Sequence, residues 1–240
     1  MKYKRVLLKL SGEALRDEES NSILSNDKLQ IIAKAVKMIK KSGVQLCIVV
    51  GAGNIWRGKL ADTIGIDPAQ ADYMGMLGTV INGMAIESAL LKNGISAKVM
   101  SAIEMNKVAE PYIFKKARSD LAKGEVIIFA GGTGNPFFTT DTCAALRAKE
   151  MKCDAILMAK NGVDGVYSDD PKTNPDAKFI KEITFDEVIA KGLKVMDLTA
   201  VSLLRDSSII IRVFDMGKEI NFEKVIEGDE IGTVIKKGNK

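Results

Sequence analysis

Residues 125–152 read EVIIFAGGTGNPFFTTDTCAALRAKEMK. The first six, Glu125–Ala130, form a short Val- and Ile-rich run with the composition of a strand. Thr142–Lys152 has the apolar spacing of a helix, and Asp141 stands at its opening. Between them lies a turn containing Gly131, Gly132 and Gly134. Strand, glycine turn and helix make half of a parallel α/β unit. The near-continuous apolar strand fits a sheet covered on both faces.

The same unit recurs along the chain. Further candidate strands are Tyr3–Leu10, Val44–Val50, Ile95–Met100, Ala155–Ala159 and Ile209–Val213, with a late one near Gly232–Lys236. Helical spacing falls between them, at Asn26–Lys41, Ala71–Lys92, Tyr112–Lys123, Phe185–Lys191 and Thr199–Ser207. In Asn26–Lys41, Leu29, Ile32, Ala33, Val36 and Ile39 share one face, with Asn26 as the expected N-cap. The expected fold is a three-layer α/β/α sandwich with a mostly parallel central sheet. The chain, residues 1–240, reads as one domain. Its loops change character near residue 155, which divides it into parts of about 1–153 and 154–240. Ser168–Lys178 (SDDPKTNPDAK) reads as an exposed loop.

Composition removes several function classes. The chain has no histidine, so the commonest general base and metal ligand is missing. Net charge is +4, but the lysines alternate with acids, and aromatics make up only 5%. A nucleic-acid partner is therefore not expected. Cys47, Cys143 and Cys153 form no CxxC pair and sit in apolar surroundings. They read as core cysteines of a reducing compartment. The basic, then apolar N-terminus is interrupted by Lys9, and no stretch reads as the ~20 apolar residues of a membrane span. A cytoplasmic protein without a membrane partner is the expectation.

Three loops follow candidate strands and precede candidate helices: Lys9–Gly12, Gly51–Gly58 (GAGNIWRG) and Gly131–Asp141. In parallel sheets ligands bind beyond the strands' carboxyl ends. Glycines there let backbone N–H groups approach an anion, and a helix N-terminus adds a favourable field. Phosphate binding is the functional expectation. Gly53–Lys59 fits GxxxxGK, but Leu60 replaces the Ser or Thr that would hold Mg²⁺, so it is not read as a P-loop. Nor is Gly51-Ala52-Gly53 a dinucleotide fingerprint, because Trp56 stands where the third glycine belongs. Asp141 reads equally as an N-cap and as a functional acid, and the roles are compatible. Asn161-Gly162 and Asp164-Gly165 mark tight turns in a segment that reads either as a bare hairpin or as a base pocket walled by Tyr167.

KLSGEAL (9–15), GAGNIWRG (51–58), ADYMGMLGTVING (71–83), GTGNPFFTTD (132–141), KNGVDGVYSDDP (160–171) and KVMDLTA (194–200) resemble, in order, signatures of the bacterial UMP kinases, a branch of the amino-acid-kinase family. The resemblance spans nearly the whole chain. It implies a homohexamer, the reaction ATP + UMP ⇌ ADP + UDP, Mg²⁺ carried with ATP, and feedback inhibition by UTP. It also implies that Lys9, Leu10, Ser11 and Gly12 cradle the ATP phosphates, with Gly53 and Arg57 facing ATP. By the same resemblance Ala52, Asp72, Thr133, Gly134, Asn135, Pro136, Phe137, Phe138, Thr139 and Thr140 hold UMP, Ala52 through its backbone only. Asn161, Tyr167 and Asp170 take the adenosine part. The acceptor part is then about 1–153 and the ATP part about 154–240. Residues 16–25 depart from the glycine-rich stretch that many members carry and link to GTP activation, so the resemblance leaves GTP activation open.

Phosphoryl transfer needs positioning and charge neutralisation. A UMP phosphate oxygen is already ionised near pH 7, so no base is required. Lys9 and Lys160 are the expected neutralising groups, with Arg57 assisting and Asp141 holding Lys9. Phosphorylation of a small carboxylate, nucleotide sensing without turnover, and nicotinamide-dependent oxidoreduction are the alternatives.

Overall fold

Strand β1 (Arg5–Leu10) shows why the chain folds as layers. Val6, Leu8 and Leu10 enter one apolar core while Leu7 enters another. Strand β2 (Gln45–Val50) repeats this, with Leu46, Ile48 and Val50 on one side and Cys47 and Val49 on the other. The period-2 pleat thus divides a continuous apolar run between two faces. This computed structural model describes residues 2–17, 19–160, 162–171, 173–218 and 220–238, with the backbone alone for Lys59 and Asp62.

The order after β1 is α1 (Asn26–Lys41), β2, α2 (Gly58–Ile64), α3 (Pro68–Lys92), β3 (Ala97–Ser101), β4 (Glu110–Pro111), α4 (Phe114–Ala122), β5 (Val126–Ala130) and α5 (Thr140–Met151). There follow β6 (Ala155–Lys160), β7 (Val166–Tyr167), β8 (Phe179–Ile180), β9 (Glu182–Thr184), α6 (Phe185–Ala190), α7 (Leu198–Leu204), β10 (Ile210–Asp215), α8 (Ile220–Glu227) and β11 (Thr233–Lys236). The main sheet runs β4-β3-β5-β2-β1-β6-β10-β11-β9. Every pairing in it is parallel except β10 with β11. Helices α1, α3 and α8 supply one core and α4 to α7 the other, which gives the expected α/β/α sandwich.

Strand order positions the site. From β1 the sheet grows one way through β2 and β5, and the other way through β6 and β10. The β5–α5–β6 crossover carries the chain past β2 and β1, at the switch point where parallel sheets hold ligands.

Several boundaries differ from expectation. Helix α1 is capped by Ser25, whose Oγ accepts from Lys28 N at 3.5 Å, and Asn26 is its first residue. Helix α5 is capped by Thr139, whose Oγ1 accepts from the Asp141 and Thr142 N–H groups, so Asp141 lies in the first turn. Helices α2 and α8 were not expected. The described residues of the stretch 168–178 are mostly exposed, and it is flanked by β7 and β8, which pair antiparallel as a hairpin. Helix α3 is longer and more apolar than the sequence reading allowed, with a mean hydropathy of 1.3 over 18 residues. Length and composition alone would let it cross a membrane, but half of that window is buried inside this protein. Asn82 and Thr79 on α3 make hydrogen bonds to loops of the site.

Candidate active site

The carboxyl ends of β1, β2, β5 and β6 bring the marked loops to one edge of the sheet. Gly51 N–H donates to the Leu10 carbonyl at 3.0 Å, which ties the first loop to the second. Gly12 sits where they meet. A Cβ there would lie 2.5 Å from Asn54 Oδ1, 2.6 Å from Gly53 N and 2.8 Å from Gly51 O, so only glycine fits. Leu10 has its side chain wholly in the core, which leaves only its backbone to serve a ligand. Ser11 is exposed, and its hydroxyl does not cap the short 3₁₀ turn Gly12–Leu15.

Beneath these loops is a reciprocal amide pair. Asn82 Nδ2 donates to Asn54 Oδ1 at 2.8 Å, and Asn54 Nδ2 returns a bond to Asn82 Oδ1 at 3.0 Å. Asn82 also reaches the Gly51 carbonyl at 2.8 Å, and Asn54 reaches the Ile23 carbonyl at 2.6 Å. Both asparagines are buried and fully engaged, so they fix backbone that a ligand would meet.

Charge gathers at the switch point. Lys9 Nζ lies 2.9 Å from Asp141 Oδ1, each side chain about one-fifth exposed. Lys160, at the end of β6, is held below the usual lysine pKa by burial and by Lys9, with Asp141 acting the other way. Two cations and one anion leave a net positive centre beside the α5 N-terminus, where the helix field also favours anions. Arg57 is turned to Glu13 at 2.6 Å and to the Gly53 carbonyl at 3.3 Å, on the exposed side of the second loop.

A cavity of about 270 Å³ opens beside that centre, between the end of β2, helix α3 and the α5 N-terminus. Ala52, Gly53, Trp56, Asp72, Gly132, Phe138, Thr139 and Thr140 are among its walls. Gly78 admits the Ala52 methyl, since a Cβ at Gly78 would approach it to 2.8 Å. Asp72 Oδ2 accepts from Phe137 N–H at 2.7 Å and so latches the third loop to α3. Thr133, Gly134, Asn135, Pro136 and Phe137 form the crest of that loop and are not among the cavity walls. Thr133 Oγ1 closes the crest through Asn135 N and O.

On the far side of β6, the Tyr167 and Phe179 rings meet edge to face at 5.4 Å, with the Tyr167 hydroxyl donating to Asp164 at 3.0 Å. Asp170 is exposed in the following turn. Asn161 lies outside the described residues. A hollow of about 440 Å³ runs from Asp141 along 192–198.

The sequence reading missed Asn54, Asn82, Thr79, Trp56, Arg147 and Asp197. Asp197 caps α7 and accepts from the Thr139 and Thr142 hydroxyls, tying α7 to the start of α5. Its signal was the Asp-Leu-Thr-Ala start of a helix within 194–200. The signal for Asn82 was an amide set among the apolar residues Val80, Ile81 and Met84.

The model of the amino acid kinase family matches residues 4–215. A uridylate kinase of Streptococcus thermophilus is 50% identical over 234 residues, which is 98% of this chain and 95% of that protein. The crystal structure of UMP kinase from Bacillus anthracis superposes with a TM-score of 0.96 at 41% identity, covering 100% of this chain and 98% of that one. UMP kinase from Ureaplasma parvum gives 0.92 at 40% identity, covering 99% and 100%. These likenesses cover nearly the whole chain, and the chain belongs to the amino acid kinase family.

Proposed function

We propose that this chain is a UMP kinase, transferring the γ-phosphate of ATP to UMP to give ADP and UDP. The observation that carries this is the cavity walled by Asp72 and the α5 N-terminus, opening beside the cluster of Lys9, Asp141 and Lys160. Relatives at 50% and 41% identity bear the names of this activity.

UMP occupies the cavity, in the part of the chain before about residue 153. One Asp72 oxygen holds the loop, and the carboxylate has capacity left for ribose hydroxyls. Ala52, Phe138, Thr139 and Thr140 enclose the nucleotide, and the loop crest from Thr133 to Phe137 closes over it. ATP lies across the switch point. Its phosphates rest on Ser11, Gly12 and Gly53 with Arg57 above, and its adenosine lies against Tyr167 and Asp170 in the part after about residue 154.

The acceptor oxygen needs no base. Catalysis consists of aligning two anions and neutralising the charge between them. Lys9 and Lys160 do this, and Asp141 fixes the direction of Lys9. Among the described residues no three acidic, cysteine or histidine side chains are grouped to hold a metal. Mg²⁺ would arrive on ATP, held by phosphate oxygens and water, and would supply further charge neutralisation there.

Self-association has its own support. Tyr73, Leu77, Ile81, Met84 and Leu91 are all more than two-fifths exposed and follow one another along α3 at helical spacing. This stripe joins subunits of a homohexamer, six times the 26.0 kDa chain, which light scattering measures. UTP inhibits by presenting the same uridine to the cavity. The cytoplasm is the working compartment, in keeping with three free cysteines, of which Cys47 and Cys153 lie unlinked at 3.8 Å between sulfurs.

The test is ADP release from ATP–Mg²⁺ with UMP, CMP, glutamate and aspartate in turn. UMP should give the highest kcat/KM. Faster turnover of an amino acid, or none with UMP, overturns the assignment.

A further inference from the structure

Arg147, on α5, is 4% exposed and lies behind the third loop. Its guanidinium stands 3.8 Å from the centre of the Tyr112 ring. One arm, Nη1, meets Glu150 Oε2 at 2.7 Å, the oxygen that also accepts from the Tyr112 hydroxyl at 2.6 Å. The other arm, Nη2, donates to the Gly132 carbonyl at 3.1 Å. Gly132 is a cavity wall and has φ +58°, a left-handed conformation that glycine adopts without strain. Its neighbour Gly131 has φ +72° and is held from the opposite side, by Thr79 Oγ1 at 2.8 Å from its N–H.

Burying a guanidinium is expensive, and a well-packed apolar side chain commonly stabilises as well or better. Here the charge is not even fully satisfied, since Arg147 Nε is buried without a hydrogen-bond partner. Stability alone therefore gives a weak reason for an arginine at this place. Its geometry gives a stronger one. The fork spans two acceptors in different directions, a carboxylate on its own helix and a loop carbonyl, which a lysine ammonium on one stem does not reproduce. Because a trans peptide sets C=O and N–H in opposite directions, holding the Gly132 carbonyl also fixes where the Thr133 N–H points.

We propose that Arg147 is a positioning residue for the phosphate acceptor: by holding the Gly132 carbonyl from behind, it sets the peptide plane on which the third loop forms its wall of the cavity. The proposal rests on the UMP kinase assignment for the identity of the acceptor. Tyr112 and Glu150 orient the guanidinium. Among the described residues, the side-chain hydrogen bonds of Arg147, Tyr112 and Glu150 reach none of the loops assigned to ATP, so the effect should be confined to one substrate.

The test is Arg147→Lys in the full chain, with kinetics in each substrate at saturation of the other. The KM for UMP should rise about tenfold, equivalent to about 1.4 kcal/mol, with the KM for ATP within about twofold. Trp56, the single tryptophan and a cavity wall, reports UMP binding without ATP and should show the same loss. Equal changes in both KM values, or unchanged UMP affinity, overturn the proposal. If Arg147→Lys does not fold, Glu150→Gln leaves the arginine present but loosely aimed. A smaller rise confined to the UMP KM supports the proposal, and no rise overturns it. Wild-type enzyme run alongside separates the two claims, because failure to turn over UMP counts against the assignment and not against Arg147.

Discussion

Lys9 and Asp141 are 132 positions apart and meet at 2.9 Å, one at the end of β1 and the other in the first turn of α5. The β5–α5–β6 crossover makes this contact, because it lays the start of α5 over the central strands. Thr140 of the same turn lies close to Gly51, and a Cβ at that glycine would be 3.4 Å from the Thr140 hydroxyl. Lysine, acid and helix terminus therefore converge from segments that are remote in sequence.

Removing the lysine should abolish charge neutralisation and spare binding. Lys9→Ala is expected to lower kcat by orders of magnitude with a modest change in KM. Asp141→Asn should have a smaller effect of the same kind, because the lysine remains but loses its tether. Steady-state kinetics decide this, and a Lys9→Ala enzyme within a few-fold of wild type removes Lys9 from the mechanism.

Lys160 gives a pH signature. Burial and the Lys9 charge lower its pKa, so it loses its proton at a lower pH than an ordinary lysine. Only the protonated form neutralises phosphate, so kcat/KM for ATP should fall on the alkaline side, beginning below the usual lysine range. Lys160→Arg keeps its charge there. Its profile should be flat over the same range, whatever its absolute rate. An unchanged alkaline limb in that variant assigns the titration elsewhere.

Gly12 tests the close approach of two loops. Gly12→Ala places a methyl against Gly53 N and Gly51 O, backbone atoms that have no rotamer to change. Overpacking of this kind costs about 1–3 kcal/mol, and both loops must separate to relieve it. The expected result is a lower melting temperature together with a KM for ATP raised at least tenfold. A crystal structure of the variant with unmoved loops contradicts this.

Asn82→Ala tests the buried amides. It leaves Asn54 Oδ1 and the Gly51 carbonyl without their donor. Each of the two unsatisfied buried groups costs roughly 1–3 kcal/mol, so denaturant unfolding should show a loss of about 2–6 kcal/mol. A loss below about 1 kcal/mol would mean that water replaces the amide.

Much of the architecture was legible because it depends on local pattern. The apolar runs that became β1, β2, β5, β6 and β10, and the glycine turns after them, need only neighbouring residues to be read. Helix α1 has the predicted bounds, though its cap is Ser25, since Ser and Asn are equally good caps and sequence does not choose between adjacent candidates. The site was legible as a set of loops. Asp72 was named through the resemblance, but not its bond to Phe137 N–H, which joins residues 65 positions apart. Arg147 gave no local sign, because its meaning lies in a carbonyl on another segment.

By itself, then, the sequence determined the layered α/β class, the glycine-rich turns at the strand ends and the lack of a histidine base, all consequences of residue type and short-range spacing. Tertiary structure alone decided which groups face each other. Strand order put Lys9 and Lys160 on neighbouring strands, and the crossover brought Asp141 to them. Close packing then fixed the glycine loops from behind through Asn82, Thr79 and Arg147. The physical reason is that hydrogen bonds and ion pairs act over a few ångströms in space, and only the folded path of the chain makes distant positions near.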